Sequence, residues 1–156
     1  MPDSIVKQVV TEVEPLRDTD TIGAATRKVI DAGLPGLPVI DEAGKFVGIF
    51  GEREFMAALF PGYMNELGSS AMIKRSIDYT IDRREGCVTE EIGKYLTTDH
   101  VLVEDDYSDS HLAELFLHHR VLVIPIASDG RPHAVVTRAA FFRALAERFL
   151  DQAPAS

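Results

Sequence analysis

Two short stretches carry the residues best suited to chemistry, Arg53-Glu54 and Thr137-Arg138. Each follows an apolar run and leads into another with apolar residues at helical spacing, which marks a strand-to-helix junction. Arg53 and Arg138 occupy matching helix starts, where first-turn N–H groups and a guanidinium can both face an anion. A plain surface arginine fits the same positions. Glu54, three residues after Gly51, and Thr137, directly before its helix, also fit N-terminal capping. Other clusters are weaker. Asp105, Asp106 and Asp109 alternate with serines but lack the glycine turn and glutamate of a calcium loop, and read as a helix start on a solvated surface. Asp18 to Thr21 reads as another helix start, since two aspartates would repel a phosphate. His118 and His119, if helical, point about 100° apart and do not converge on one ion. His119 falls on the apolar side as a boundary histidine. Cys87, near Arg83 and Arg84, reads as a surface or half-buried thiol rather than a reactive one. No nucleophile is spaced to meet a base, and no Walker-type loop or metal-ligand spacing occurs, so the chain is read as no enzyme.

The elements that must position these residues repeat. Gly33 to Asp41, a turn to Gly44 and Lys45 to Phe50 read as two buried strands of a hairpin. Val121 to Ala127, a turn at Asp129-Gly130 and His133 to Val136 copy it, with Pro38 matching Pro125 at an offset of 87. Both prolines lack a ladder donor and are expected at an edge, a strand start or an irregularity. Ahead of each hairpin lies an apolar helical pattern: Ile22, Ala25 and Val29 in one copy, Leu112 and Phe116 in the other. After the turn the offset is 86, so Phe55 meets Phe141, and Val10-Thr11 likewise meets Leu96-Thr97. The unit is short strand, helix, strand, turn, strand, helix, and two such units pair to build one adequate core. Helix 22–32 stops at Gly33. Ile5, Val6, Val9 and Val10 suggest a short helix, and Leu16 starts a short strand. Phe141, Phe142, Leu145 and Phe149 form a stripe for core or dimer seam.

The run Gly-Leu-Pro-Val-Ile-Asp at 36–41, then Gly-Lys-Phe-Val-Gly-Ile at 44–49, resembles the cystathionine-β-synthase-type (CBS) domain, and the whole chain resembles a tandem CBS pair. This implies an α/β (α+β) fold of two βαββα repeats about a pseudo-two-fold axis, joined by an ordered helical connection. Repeat 1 spans 5–60, the connection 61–92 with short helices at 64–74 and 77–84 and a helix start at Thr89, repeat 2 93–150, and a frayed tail 151–156. The family usually places Ser or Thr, two residues, then Asp at the junction, where the carboxylate holds a ribose diol. Here Gly51 replaces the hydroxyl and Glu54 the Asp, while Thr137 keeps the hydroxyl and Ala140 has lost the carboxylate. The resemblance implies two clefts between the repeats. One combines Thr97, Leu102, Val121 and Leu122 with Arg53 and Glu54; the other combines Thr11, Leu16, Leu34 and Pro35 with Thr137 and Arg138.

Composition bounds the rest. With 156 residues, 46% hydrophobic, the chain reads as one soluble globular module. A formal net charge of −9 argues against nonspecific nucleic-acid binding. No 18-residue apolar run or leader is seen, and a single cysteine fits a reducing cytoplasm. The family implies a regulatory module for signal transduction that senses AMP, ADP, ATP or S-adenosylmethionine. It needs no cofactor or metal, forms a homodimer and acts on a separate protein. The alternative is a ligand-free dimerisation or scaffold module with degenerate clefts.

Overall fold

The computed structural model describes residues 4–60, 76–97 and 100–152. A 3₁₀ turn, Val6–Gln8, opens the chain, followed by two-residue strands β1 (Thr11–Glu12) and β2 (Leu16–Arg17). Helix α1 (Ile22–Ala32) begins where the Thr21 side chain accepts the Ala24 N–H at 3.2 Å, and ends at Gly33 with φ 68°. Ile22, Ala25 and Val29 form its buried face. The hairpin β3 (Gly36–Ile40) and β4 (Phe46–Gly51) closes at Asp41, whose carboxylate accepts the Ala43 and Lys45 N–H groups at 2.9 and 3.0 Å. Helix α2 (Glu52–Leu59) completes the first repeat.

The second repeat follows the same order. Strand β5 (Val103–Glu104) precedes a helix that Ser108 caps by accepting the His111 N–H at 3.1 Å, Asp109–His118. Then come β6 (Val123–Ser128), β7 (Arg131–Thr137) and a final helix, Arg138–Gln152. Among the described residues one further helix, Ile77–Arg83, lies between the repeats, so in chain order these three helices are α3 (Ile77–Arg83), α4 (Asp109–His118) and α5 (Arg138–Gln152).

Two sheets result, ordered β2-β3-β4 and β1-β7-β6-β5. β2 runs parallel to β3 and β5 parallel to β6, with Leu16 opposite Val39 and Val103 opposite Ile126. Pro38 and Pro125 each sit one residue before that parallel pairing starts, and each sheet shifts register just after, at Val39/Ile40 and Ile126/Ala127. The missing donors therefore cost no ladder bond on the parallel side. The opening segments cross over. β1 pairs with β7, Thr11 opposite Val135, and Thr97 bridges Ile49 of β4. These two pairs are equivalents in the repeat, so each unit's first residues lie on the other unit's sheet. At Gly48, φ is 155° and an added Cβ would stand 3.1 Å from both the Thr97 carbonyl and Leu96 Cβ, which is why the crossing segment needs glycine beneath it.

One core gathers Leu16, Val39, Phe50 and Ile92; the other gathers Val6, Leu112, Ile124 and Val136. Ile49, Val123 and Val135 form a small third cluster where the sheets meet. Full burial of each such side chain contributes about 1.5–3 kcal/mol. The N-terminal turn thus packs on the second repeat, tied there by Asp109, whose carboxylate accepts from Ser4 Oγ at 2.5 Å and from the Ile5 and Val6 N–H groups at 2.9 and 3.3 Å.

The expected 64–74 helix and residues 153–156 of the tail lie outside the described residues. Helix α3 is present, capped by Ser76, but Thr89 ends a 3₁₀ turn, Glu85–Thr89, and the next turn begins only at Ile92. This part of the connection docks on the first repeat. The Arg84 guanidinium donates twice to the Ala58 carbonyl, at 2.9 and 3.2 Å, and the Ile22 N–H donates to the Glu90 carbonyl at 2.9 Å. Cys87 is buried in the first core, not at the surface. Of the α5 stripe only Phe141 is core, stacked on Phe116 at 5.4 Å; Phe142, Leu145 and Phe149 are exposed. No helix among the described residues is long and apolar enough to cross a membrane.

Candidate functional site

A cleft of ≈ 460 Å³ lies between the repeats, where the start of α2 faces the residues ahead of β6. Five of the six residues assigned to the first cleft from sequence line it: Arg53, Glu54, Thr97, Val121 and Leu122. Leu102 does not line it. Strand pairing puts Val103, not Leu102, in the place equivalent to Leu16.

Glu54 is the one buried charged side chain among the described residues, 7% exposed. Both oxygens are engaged: Oε1 accepts the Gly51 N–H at 2.9 Å, and Oε2 accepts the hydroxyl of Thr97 from the crossing segment. The first bond is half of a capping box, and glycine has no side chain to return the other half. Gly51 is needed for a steric reason. A Cβ there would lie 2.1 Å from the Pro35 carbonyl oxygen and 2.5 Å from Gly36 Cα. Its φ of −165° is ordinary extended backbone, so close approach and not conformation requires glycine. The Glu52 N–H donates to that same Pro35 carbonyl at 3.0 Å, which holds the two segments together.

The other walls carry guanidinium, imidazole and apolar groups. His100, His118, His119 and Arg120 join Arg53 around the cleft, and Glu54 is the lone carboxylate among the described residues that line it. His100 stands edge-on to Phe46 at 4.5 Å. Pro35, Ile49, Val121 and Leu122 supply apolar surface. In a chain of net charge −9, two guanidinium groups with three imidazoles beside them suit an anion next to a flat apolar body. The reading of His118 and His119 assumed a continuing helix. Helix α4 ends at His118, and His119 is extended (φ −124°, ψ 142°), so both reach the same cleft. Their place just ahead of the repeated strand was the available signal.

The second set of residues is not brought together in the same way. Leu16 is fully buried in the first core, and Leu34 packs against that core and the inter-sheet cluster. Pro35 lines the first cleft. Thr11 is exposed on β1. The Thr137 hydroxyl caps α5 by accepting the Ala140 N–H at 3.1 Å, and the Arg138 N–H donates to the Leu122 carbonyl at 2.9 Å. Thr137 does line a groove of ≈ 750 Å³ beside the N-terminal turn, with Ala139, Ala140 and Arg143, but the other five do not. The two arginines are also one position out of step: Arg138 is the first residue of α5 and Arg53 the second of α2.

The acidic run serves the fold. Asp109 holds the N-terminal turn, and Asp105 accepts the Ser128 hydroxyl and lies 2.8 Å from His133 Nε2. The Ser128 bond, and after it the His133 bond, hold the Asp105 carboxyl below the usual carboxylate range. No group of three or more His, Cys, Asp or Glu among the described residues could hold a metal ion.

Comparison with known proteins agrees with this architecture. The CBS domain family matches residues 6–61. The CBS domain of a CBS-domain-containing membrane protein from Sphaerobacter thermophilus is 22% identical, with 90% of this chain and 86% of that chain covered and a TM-score of 0.69. CBSX2 from Arabidopsis thaliana, a CBS-pair protein, is 18% identical over 97% of this chain and all of its own, at a TM-score of 0.69. A structure of CBSX2 in complex with AMP superposes at 0.64, with 19% identity, 94% of this chain and 99% of that chain. No curated protein matches the chain. The first repeat thus matches the CBS domain, and the chain as a whole has the fold of a tandem CBS-domain protein.

Proposed function

We propose that this tandem CBS-fold chain is a regulatory module that binds an adenine nucleotide, or a related adenosyl compound, in the cleft between its repeats. The observation that carries the reading is the meeting of Glu54 and Arg53 from one repeat with Thr97, Val121 and Leu122 from the other around one cavity. Apolar surface suits the base, a carboxylate suits the ribose diol, and the arginine and histidine groups suit phosphate. That the similar CBSX2 is known in complex with AMP supports the choice of ligand class. The module would act as a homodimer on a separate protein in the cytoplasm, with the exposed Phe142 and Phe149 of α5 available as its seam.

A thermal-shift series with AMP, ADP, ATP, S-adenosylmethionine and NAD tests this. A ligand at a hundred times its Kd stabilises the fold by about 2.7 kcal/mol, a shift easily measured. One nucleotide should raise Tm, and the rise should shrink on Glu54→Ala. No rise with any of them overturns the reading.

A ligand-free scaffold is the second reading, and two observations favour it. The Glu54 carboxylate is already satisfied within the chain, and the second junction has Ala140 where the first has a carboxylate. This reading expects dimerisation with no nucleotide response.

A further inference from the structure

Glu54, the only carboxylate among the described residues that line the cleft, is taken up by the chain itself. Thr97 belongs to the segment that opens the second repeat, yet its hydroxyl donates to Glu54 of the first and its backbone bridges Ile49. With the Gly51 N–H on the other oxygen and 7% exposure, Glu54 offers a further donor little surface beside Thr97. A hydroxyl-bearing ligand reaches this carboxylate by replacing a hydroxyl already there. We infer that the Glu54–Thr97 bond is an autoinhibitory contact, in which Thr97 occupies the position of a ligand hydroxyl and is expelled when the ligand binds.

The inference rests on the proposed nucleotide site and adds its regulation. Expelling Thr97 acts on more than one side chain. The segment ahead of it is strapped to the first repeat, with the Ile92 and Gly93 N–H groups donating to the carbonyls of Asp20 and Asp18 at 2.9 and 3.0 Å. Thr97 lies at the end of that strap, on top of Gly48, where the backbone of β4 comes within van der Waals distance of the crossing segment. Losing the hydroxyl bond would remove the side-chain part of the tie that, with the backbone bridge to Ile49, holds Thr97 on the first sheet. Ligand occupancy would thereby be read out as loosening of the junction between repeats. The arrangement is one-sided: the equivalent threonine, Thr11, is exposed, and Ala140 stands where Glu54 would be its partner.

Titration of AMP, ADP and ATP into the wild type, Thr97→Val and Thr97→Ser by calorimetry tests this, together with amide exchange of the wild type with and without nucleotide. Thr97→Val keeps the shape and removes the donor, and should bind at least one of the three about tenfold tighter, the worth of a released bond to a charged group. Thr97→Ser, which keeps the donor, should bind like the wild type. Nucleotide should speed exchange at Ile49 and Thr97, a measurement that needs no variant to fold. Binding to the wild type with equal or weaker affinity in Thr97→Val, or slowed exchange at those amides, overturns the inference while leaving the nucleotide site standing. No binding to any of the three proteins overturns both.

Discussion

The helix that closes the first repeat begins after Gly51 and the one that closes the second begins after Thr137, and the two starts meet the same need by opposite means. Four N–H groups at a helix start lack intrahelical partners. In the first repeat a carboxylate reaches back from Glu54 to the Gly51 N–H. In the second a hydroxyl reaches forward from Thr137 to the Ala140 N–H. Each repeat keeps one half of a capping box. Either half is enough to start a helix, so folding does not require both to persist at one junction. Among the described residues, only the first arrangement puts a buried carboxylate in a cleft, with Arg53 and Arg120 on the same walls. The repeats are alike in backbone and unlike in chemistry.

The sharpest way to break that comparison is Gly51→Ala. Its Cβ would meet backbone atoms of Pro35 and Gly36, which no rotamer can relieve. Urea unfolding should show a loss of about 3 kcal/mol or more. Leu16→Ala comes next, with a loss of about 2–5 kcal/mol from an emptied core position. A nucleotide affinity unchanged by it would separate Leu16 from the site to which the sequence reading assigned it. Thr97→Val leaves a buried carboxylate oxygen without its donor and should cost about 1–3 kcal/mol, measured in the same way without ligand. Thr137→Ala should cost about 1 kcal/mol, the usual value of an N-cap, and should leave binding in the first cleft unaltered.

The smallest effect concerns pH. The Asp105 carboxyl is held below its ordinary value by Ser128 first and His133 second. A depressed folded value means the contribution is present above the unfolded value, about 3.9, and is lost as pH falls through the folded value. Asp105→Asn should therefore remove a slight part of the acid-induced loss of stability below about pH 4. The side chain is exposed, so solvent keeps the effect small. Urea midpoints between about pH 2 and 5 would reveal it.

Much of the fold was legible because its signals are local. Helix 22–32 shows itself through apolar spacing, a capping threonine and a terminal glycine, and the hairpin through two apolar runs about an Asp-to-Gly turn. That Arg53, Glu54, Thr97, Val121 and Leu122 line one cavity could be anticipated because they sit at repeated junctions. That Leu16 lies in the core was not legible, because a two-residue strand gives no periodicity to say which face is buried. The histidines were missed because the end of a helix at His118 is one residue's choice of backbone angle.

By itself the amino-acid sequence determined the repeat, the hairpins, most of the helices and the pairing of two units into one α/β body. Those follow from hydrophobic period and turn chemistry, which act over a few residues. Only the tertiary structure decided that the opening segments cross over, that Gly51 has no room for a side chain, and that the carboxylate expected to greet a ligand is already held by Thr97. Each of those depends on groups far apart in the chain meeting within a few ångströms, and spacing along a sequence carries no measure of that distance.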